Sequence, residues 1–458
     1  MKRRAFLSTS LLAGMTPRVL AENEPLTPES PGYDKARQLF NSDLSLRPAF
    51  ILPCRNERQV AEAIGFANEK DLPVAVKSGG HSFAGFSMNE GGVVIDLSIC
   101  SQKVYLPQSQ RLHAGPGAKL GTLYDVLLPH GRLLPAGSCA GVGLGGLTLG
   151  GGYGLFARQY GLTCDHLQRV RMIDGRGQVI DSEDDPDLLW ACRGGGNGNF
   201  GVVTSMEFMT RPAPRVLGAQ RFSASVSTPA RAVELMAVWF EMAATLAEPI
   251  FSAFILNGKK VTILLTSSYA TSGPAFQRAV GTLRKAGCAS RGAANSPLAR
   301  ALKRYYGRPG PLPFSNCSGG YYRGMEDLEG VAMQLAAKVA ANPGLIFQIN
   351  TLGGAIARGP ESAYPHRALP FLGEIQSYWN RASQRKKLVG AVKELRVAIS
   401  EAGVKAHYRN YPDLTLENWE ESYYGDSYRK LQGLKIRYDP HDRIRHPQSV
   451  RLEEGVLP

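Results

Sequence analysis

The chain's apolar positions first fall into a short run, AFILP at 49–53, that reads as a strand. Over 56–70 (NERQVAEAIGFANEK) they return every three or four residues instead. Val60, Ile64 and Ala67 then share one helix face, and Asn56 stands where an N-cap belongs. LPVAVKSGGHS (72–82) is a buried strand running into a glycine turn, and GGVVIDLS (91–98) is another strand. This order predicts an α+β or α/β unit whose glycine turn lies at a strand's C-terminal end, where ligands bind. Downstream, VRMIDGRGQVIDS and FGVVTSMEFMT are strand-like, with a short helix around 186–191 between them. Arg211-Pro212-Ala213-Pro214 breaks the pattern and marks a boundary. From 215 to about 405, strands (SAFIL, KVTILLTSS) mix with long helical periods (AVELMAVWFEMAATLA, KKLVGAVKELRVAISEAG), the pattern of a sheet covered by helices. Beyond about 406 the chain turns glycine- and tyrosine-rich and mirrors its first part.

The 458 residues are too many for one core, so two or three domains are expected, and 43% hydrophobic residues suffice to fill them. The net charge of +14 is spread along the chain rather than clustered, which argues against a nucleic-acid partner. At the N-terminus, Lys2, Arg3 and Arg4 precede a short apolar segment ending in a small-residue cleavage pattern at Ala21. Residues 1–21 therefore read as a signal peptide of twin-arginine type, too short and too weakly apolar for stable membrane insertion. A periplasmic or secreted bacterial protein, folded around a cofactor before export, is the expectation. Seven cysteines form no C-x-x-C pair and no metal-ligand spacing, so neither a metal site nor a dense disulfide framework is expected.

Three glycine clusters need a further reason. Gly141-Val142-Gly143-Leu144-Gly145-Gly146 matches G-x-G-x-x-G, but Gly150, Gly151, Gly152 and Gly154 make a continuous helix unfavourable at about 1 kcal/mol each. A nicotinamide site is rejected on that ground, in favour of an extended glycine loop lying along a large planar or phosphorylated ligand. In the second cluster, Lys77-Ser78-Gly79-Gly80-His81-Ser82, successive N–H groups can form a nest for phosphate oxygens, with the Ser78 and Ser82 hydroxyls as further donors. The third is RGGGNGNFGVV at 193–203.

PVAVKSGGHS, PAGSCAGVGLGGLTLGGGYGLFARQYGLTCD, DLLWACRGGGNGNFGVV and YYGDSYRKLQGLKIRYDPHDRIRHPQS together resemble the FAD-linked oxidases of the berberine bridge enzyme-like group, within the vanillyl-alcohol-oxidase or PCMH type. The resemblance covers nearly the whole chain after the signal peptide. It implies an α+β fold with an FAD-binding domain in two parts, 33–211 and 407–458, around a substrate-binding domain at 212–406 whose antiparallel sheet is covered by helices. It also implies a bicovalent FAD, with His81 on the flavin 8α-methyl and Cys139 on C6. The cofactor would lie on the Lys77–Ser82 turn, on Ser138, Val142, Gly143, Gly145, Gly146, Gly151, Tyr153 and Gly154, and on Gly201 and Val203.

Val142 stands where valine goes with oxidases. Tyr408 in His407-Tyr408-Arg409-Asn410-Tyr411 corresponds to the family's base, and Asn410 to its flavin contact. Tyr364-Pro365-His366-Arg367 resembles a structural segment. Glu374 and Gln376, with Gln348 and Asn350, alternate on strands and would face the substrate. Two departures stand out: Leu147 where plant members often carry histidine, and Asp439-Pro440-His441-Asp442-Arg443-Ile444 in place of D-P-x-N-x-F.

The expected reaction is hydride transfer from a substrate alcohol to flavin while Tyr408 takes the hydroxyl proton, with O2 as the second substrate and H2O2 as product. A saccharide is the favoured small-molecule substrate. Oxidative tailoring of a secondary metabolite is the alternative.

Overall fold

The computed structural model describes residues 24–453, so the expected signal peptide lies outside the described residues. Strands β1 (Phe50–Pro53), β2 (Val74–Lys77) and β3 (Val93–Asp96) form a parallel sheet in the order β1-β3-β2. The helix Glu57–Glu69 crosses between β1 and β2, and the Asn56 side chain caps it by accepting from Gln59 N at 3.0 Å. Its apolar face, Val60, Ile64 and Ala67, is buried with Phe50, Val74, Val93 and Ile95 in one cluster.

A five-stranded antiparallel sheet follows. It contains β4 (Lys103–Leu106), β5 (Arg111–Ala114), β7 (Leu167–Asp174), β8 (Val179–Asp181) and β9 (Gly201–Met209) in the order β4-β5-β9-β7-β8. The short strands β6 (Arg132–Leu133) and β10 (Arg211–Pro212) pair at its margin.

The third sheet has seven antiparallel strands: β11 (Val216–Ser225), β12 (Ile250–Asn257), β13 (Lys260–Ser267), β14 (Ala289–Pro297), β15 (Cys317–Tyr322), β16 (Leu345–Thr351) and β17 (Phe371–Ser377). Their order is β14-β11-β13-β12-β16-β17-β15. Side chains alternate across a strand, so each strand serves two faces. Phe254, Ile263, Phe347, Ile349 and Ile375 face a core built with helices Pro229–Ala244, Ala332–Ala341 and Arg385–Glu401, where Trp239 is fully buried. The intervening residues Ala253, Gln348, Asn350, Glu374 and Gln376 line a cavity on the opposite face.

The C-terminal segment folds back onto the first part of the chain. Val74 N donates to Arg443 O at 2.7 Å and Arg445 N to Val74 O at 3.1 Å. Lys435, with no exposed side-chain surface, donates to Asn199 O, Asp439 Oδ2 and Ile444 O at 2.6 to 2.8 Å. The Asp439–Ile444 departure from the family ending is thus a packed structural knot.

One expectation is corrected. The glycine loop is not extended throughout, because Leu144–Leu149 forms a short helix with Gly143 at its N-cap. Thr148 Oγ1 donates to Leu144 O at 2.8 Å, and a Cβ on Gly145 would collide with Pro116. Tertiary packing that only glycine permits here outweighs the low helix propensity. From Gly150 the chain is no longer helical, with φ of +114° at Gly151 and +82° at Gly152. No helix among the described residues is long and apolar enough to cross a membrane.

Candidate active site

The cavity has a volume of about 1250 Å³ and lies between the face of the seven-stranded sheet and the glycine segments of the first part. That exceeds the ~300–1,000 Å³ of ordinary small-molecule sites and suits a dinucleotide with a substrate beside it. Every residue expected at the cofactor or substrate lines it except Lys77 and Gly151. The Lys77 ammonium is turned inward, donating to Ala36 O at 2.6 Å and pairing with Asp96 at 2.9 Å. Gly151 lies beneath the rings of Tyr364 and Tyr408, and a side chain there would press on Tyr364.

The floor is largely backbone. Gly79 packs on Gly143 so closely that a Cβ on either would overlap main-chain atoms of the other. The Ser78 hydroxyl donates to Pro116 O, whereas Ser82 Oγ accepts from Phe86 N at 3.1 Å and donates to no partner among the described residues. A bed of close-set glycines along a long cavity is what a flat, phosphorylated cofactor such as FAD requires, and the residues present fit it.

His81 is stacked on Phe40, with ring centroids 4.1 Å apart, and a Cβ on Gly141 would reach its Nε2. Burial, with Lys119 nearby, lowers its pKa to about 4, so the imidazole is neutral at physiological pH. Cys139 lines the same cavity two residues before Gly141, with its Sγ next to Gly307. Of the seven cysteines, all unpaired, it alone is exposed. The cavity walls still partly dehydrate the thiol and raise its pKa, and Glu374 adds to the shift.

At the sheet, Glu374 is 6% exposed, and burial raises its carboxyl to about 7 despite hydrogen bonds to Gln376 and Tyr411. A run of polar side chains crosses the strands beside it. Asn350 Nδ2 donates to Tyr153 Oη at 3.1 Å, Gln348 Nε2 to Asn350 Oδ1 at 2.8 Å and Gln376 Nε2 to Gln348 Oε1 at 3.5 Å. Asn316 Nδ2 donates to Tyr378 Oη at 2.9 Å. Tyr153 and Tyr411 share a hydrogen bond of 2.5 Å.

The Tyr408 phenol oxygen accepts from Gly152 N at 3.0 Å and from Asn410 Nδ2 at 3.1 Å. These bonds favour the phenolate, but burial outweighs them and holds the phenol well above its ordinary value. In Tyr364-Pro365-His366-Arg367, Tyr364 bonds Tyr321 Oη at 2.6 Å and Arg367 pairs with Asp165 at 2.7 Å, out of the cavity. Sequence reasoning missed Arg409, Tyr411, Asn197 and Tyr378 on the wall. Arg409 and Tyr411 flank Asn410, and Asn197 sits inside the third glycine cluster, so proximity to a motif was the available signal. No group of three or more His, Cys, Asp or Glu among the described residues could hold a metal ion.

Comparison with known proteins agrees with this geometry. A family model described as an FAD binding domain matches residues 48–183, and one described as berberine and berberine like matches 407–451. The uncharacterized FAD-linked oxidoreductase YgaK of Bacillus subtilis (strain 168) is 30% identical over 445 residues, covering 93% of this chain and 96% of that protein. Among solved structures, a chitooligosaccharide oxidase superposes with a TM-score of 0.86 at 24% identity, covering 94% of this chain and 97% of the other. An aclacinomycin oxidoreductase superposes with a TM-score of 0.84 at 25% identity, covering 92% and 97%. The chain belongs to the berberine bridge enzyme-like FAD-linked oxidoreductases of the PCMH type.

Proposed function

We propose that the protein is an exported oxidase that takes a hydride from an alcohol carbon of a saccharide or oligosaccharide. Residues 33–211 with 407–458 are read as the cofactor-holding part, and 212–406 as the substrate-holding part. The observation that carries the substrate class is the line of amides and phenols from Tyr153 through Asn350 and Gln348 to Gln376, which opens onto the cavity beside Glu374. Amides offer donors and acceptors together, as a ring of hydroxyls requires, and Phe314, Tyr378 and Trp379 add aromatic surface for sugar C–H faces. FAD, when bound, supplies the hydride acceptor and the route of both electrons to O2, giving H2O2.

The chain's own part is to place the substrate and move its proton. Tyr408 keeps its proton in this environment, so we assign it to orienting the substrate hydroxyl, and we assign proton removal to Glu374. This shifts the base away from the tyrosine that the motif alone suggests. A carboxylate titrating near neutrality is matched to that task, and fixed placement supplies much of the rate. His81 and Cys139, which both line the cavity, are proposed as two covalent anchors. The neutral imidazole is the readier nucleophile and the raised thiol the slower one.

After acid precipitation, the wild-type pellet is expected to retain its flavin. His81→Ala and Cys139→Ala should each retain a single linkage with an altered flavin spectrum, and only the double variant should release all of it. Free FAD from the wild type would refute the anchors.

Oxygen uptake over a panel of neutral oligosaccharides tests the substrate class, and silence on all of them would overturn it. A second reading, oxidation of a polycyclic secondary metabolite, is favoured by the apolar patch of Leu155, Phe251, Ile255 and Leu264 on the same wall. It predicts turnover on such compounds only.

A further inference from the structure

The cavity wall carries one carboxylate, Glu374, against three cations: Lys119, Arg308 and Arg409. Arg308 is exposed and screened by water, and Lys119 is half-buried. Arg409 is different, being 3% exposed and paired with no carboxylate among the described residues. Its Nε donates to Tyr424 Oη at 2.7 Å, and its Nη2 lies 3.3 Å from Asn197 O and 3.1 Å from Asn197 Oδ1.

Nη2 also lies 3.0 Å from His446 Nε2, but that ring offers it no acceptor. Gln448 N donates to His446 Nδ1, which sets the ring proton on Nε2, where it faces Asn197 O at 3.1 Å. Burial, with Arg409 beside it, keeps His446 far below its ordinary pKa and therefore neutral. The other neighbour is the Phe86 ring, 5.3 Å below the guanidinium and itself stacked on His446. Nη1 has no hydrogen-bond partner among the described residues. A guanidinium cannot shed its proton, and a buried charge with only neutral partners is costly. Arg409 lines the cavity, so a negative group bound there would supply the missing counter-charge.

We propose that Arg409 balances a negative charge on the bound FAD, either that of the diphosphate or the charge the ring system gains on reduction. Arg409 lies between Tyr408 and Asn410, and Asn197, which it grips, donates to Gly146 O at 2.7 Å. The cation is thereby fixed against the glycine segment that the cofactor covers. The inference rests on FAD occupying the cavity and is independent of the substrate reading.

The test uses purified holoenzyme and two readouts besides turnover: flavin bound per chain, and the midpoint potential by dye equilibration. If the diphosphate is the partner, Arg409→Gln is expected to lower flavin per chain about tenfold and to leave the potential of the remainder unchanged. If the reduced ring is the partner, flavin content is expected to hold while the equilibrium for reduction falls about tenfold, about 30 mV for a two-electron couple. Arg409→Lys, which keeps the charge, should recover most of either loss. It also carries the test should Arg409→Gln fail to fold. Tyr424→Phe removes a packing partner but no charge and should change neither readout. Wild-type values in Arg409→Gln, or equal losses in the Lys, Gln and Tyr424→Phe variants, would overturn the proposal.

Discussion

Replacing Glu374 by glutamine is expected to cut kcat/KM by about 10²–10⁴-fold, the usual contribution of a positioned base. The substitution keeps the size of the side chain and its capacity to bond Gln376 and Tyr411, so lost proton transfer is the effect measured. In the wild type, kcat/KM should rise as pH passes through about 7, where Glu374 loses its proton. The variant should lack that limb, and a variant retaining it would place the base elsewhere.

Stability changes in the opposite sense. The folded carboxyl titrates near 7, above its ordinary value of 4.5, so the folded state holds the proton more tightly than the unfolded chain. The stability this contributes is complete below the unfolded value and is lost as pH rises through the folded one. Above pH 7 the wild type carries a buried charge that glutamine does not, so Glu374→Gln should be the more stable protein there, by on the order of 3 kcal/mol. Thermal unfolding at pH 5 and pH 8 reads the difference, and a gap that does not widen at the higher pH would count against a buried, neutral-titrating carboxyl.

The second large effect is expected at Gly79. A methyl group there would overlap Gly143 N and Cα and crowd the Val142 carbonyl carbon. The opposing loop cannot retreat, because Leu120 N donates to Val142 O at 3.0 Å, Leu144 N to Ala118 O at 2.8 Å and Gly145 N to Pro116 O at 2.9 Å. Gly79→Ala should therefore part the turn from the glycine segment, cost about 1–3 kcal/mol as overpacking, and leave little flavin on the purified chain. Gly65, inside the helix Glu57–Glu69 with nothing within 4 Å of a Cβ, supplies the contrast. Gly65→Ala should raise the melting temperature and leave flavin content unchanged.

Strand β16 shows how far the sequence could be read. In LIFQINT, Phe347 and Ile349 point to the helix-covered core while Gln348 and Asn350 reach the cavity, and period-two alternation alone separates them. The Asn56 cap and the face of the first helix were equally legible, because both are set within a dozen residues. The helix at Leu144–Leu149 was not, since its stability comes from Pro116 and the 116–120 segment rather than from its own propensity. Lys77 was misplaced because its partner, Asp96, is nineteen residues away on a neighbouring strand. The place of Arg409 beside Asn410 was legible, but its lack of a counter-charge was not. An arginine acquires meaning from the charges around it, and the absence of a carboxylate is visible only in three dimensions.

The return of the C-terminal segment to β2 has a consequence for biogenesis. Val74 forms its pairing with Arg443 and Arg445, and Asn199 O receives the Lys435 ammonium, so contacts to the first half of the chain wait for residues from its last thirty. On the ribosome, a nascent chain halted before residue 435 has every strand of all three sheets but lacks the strap that joins its beginning to its end. C-terminally truncated chains are therefore expected to emerge colourless however well their sheets form.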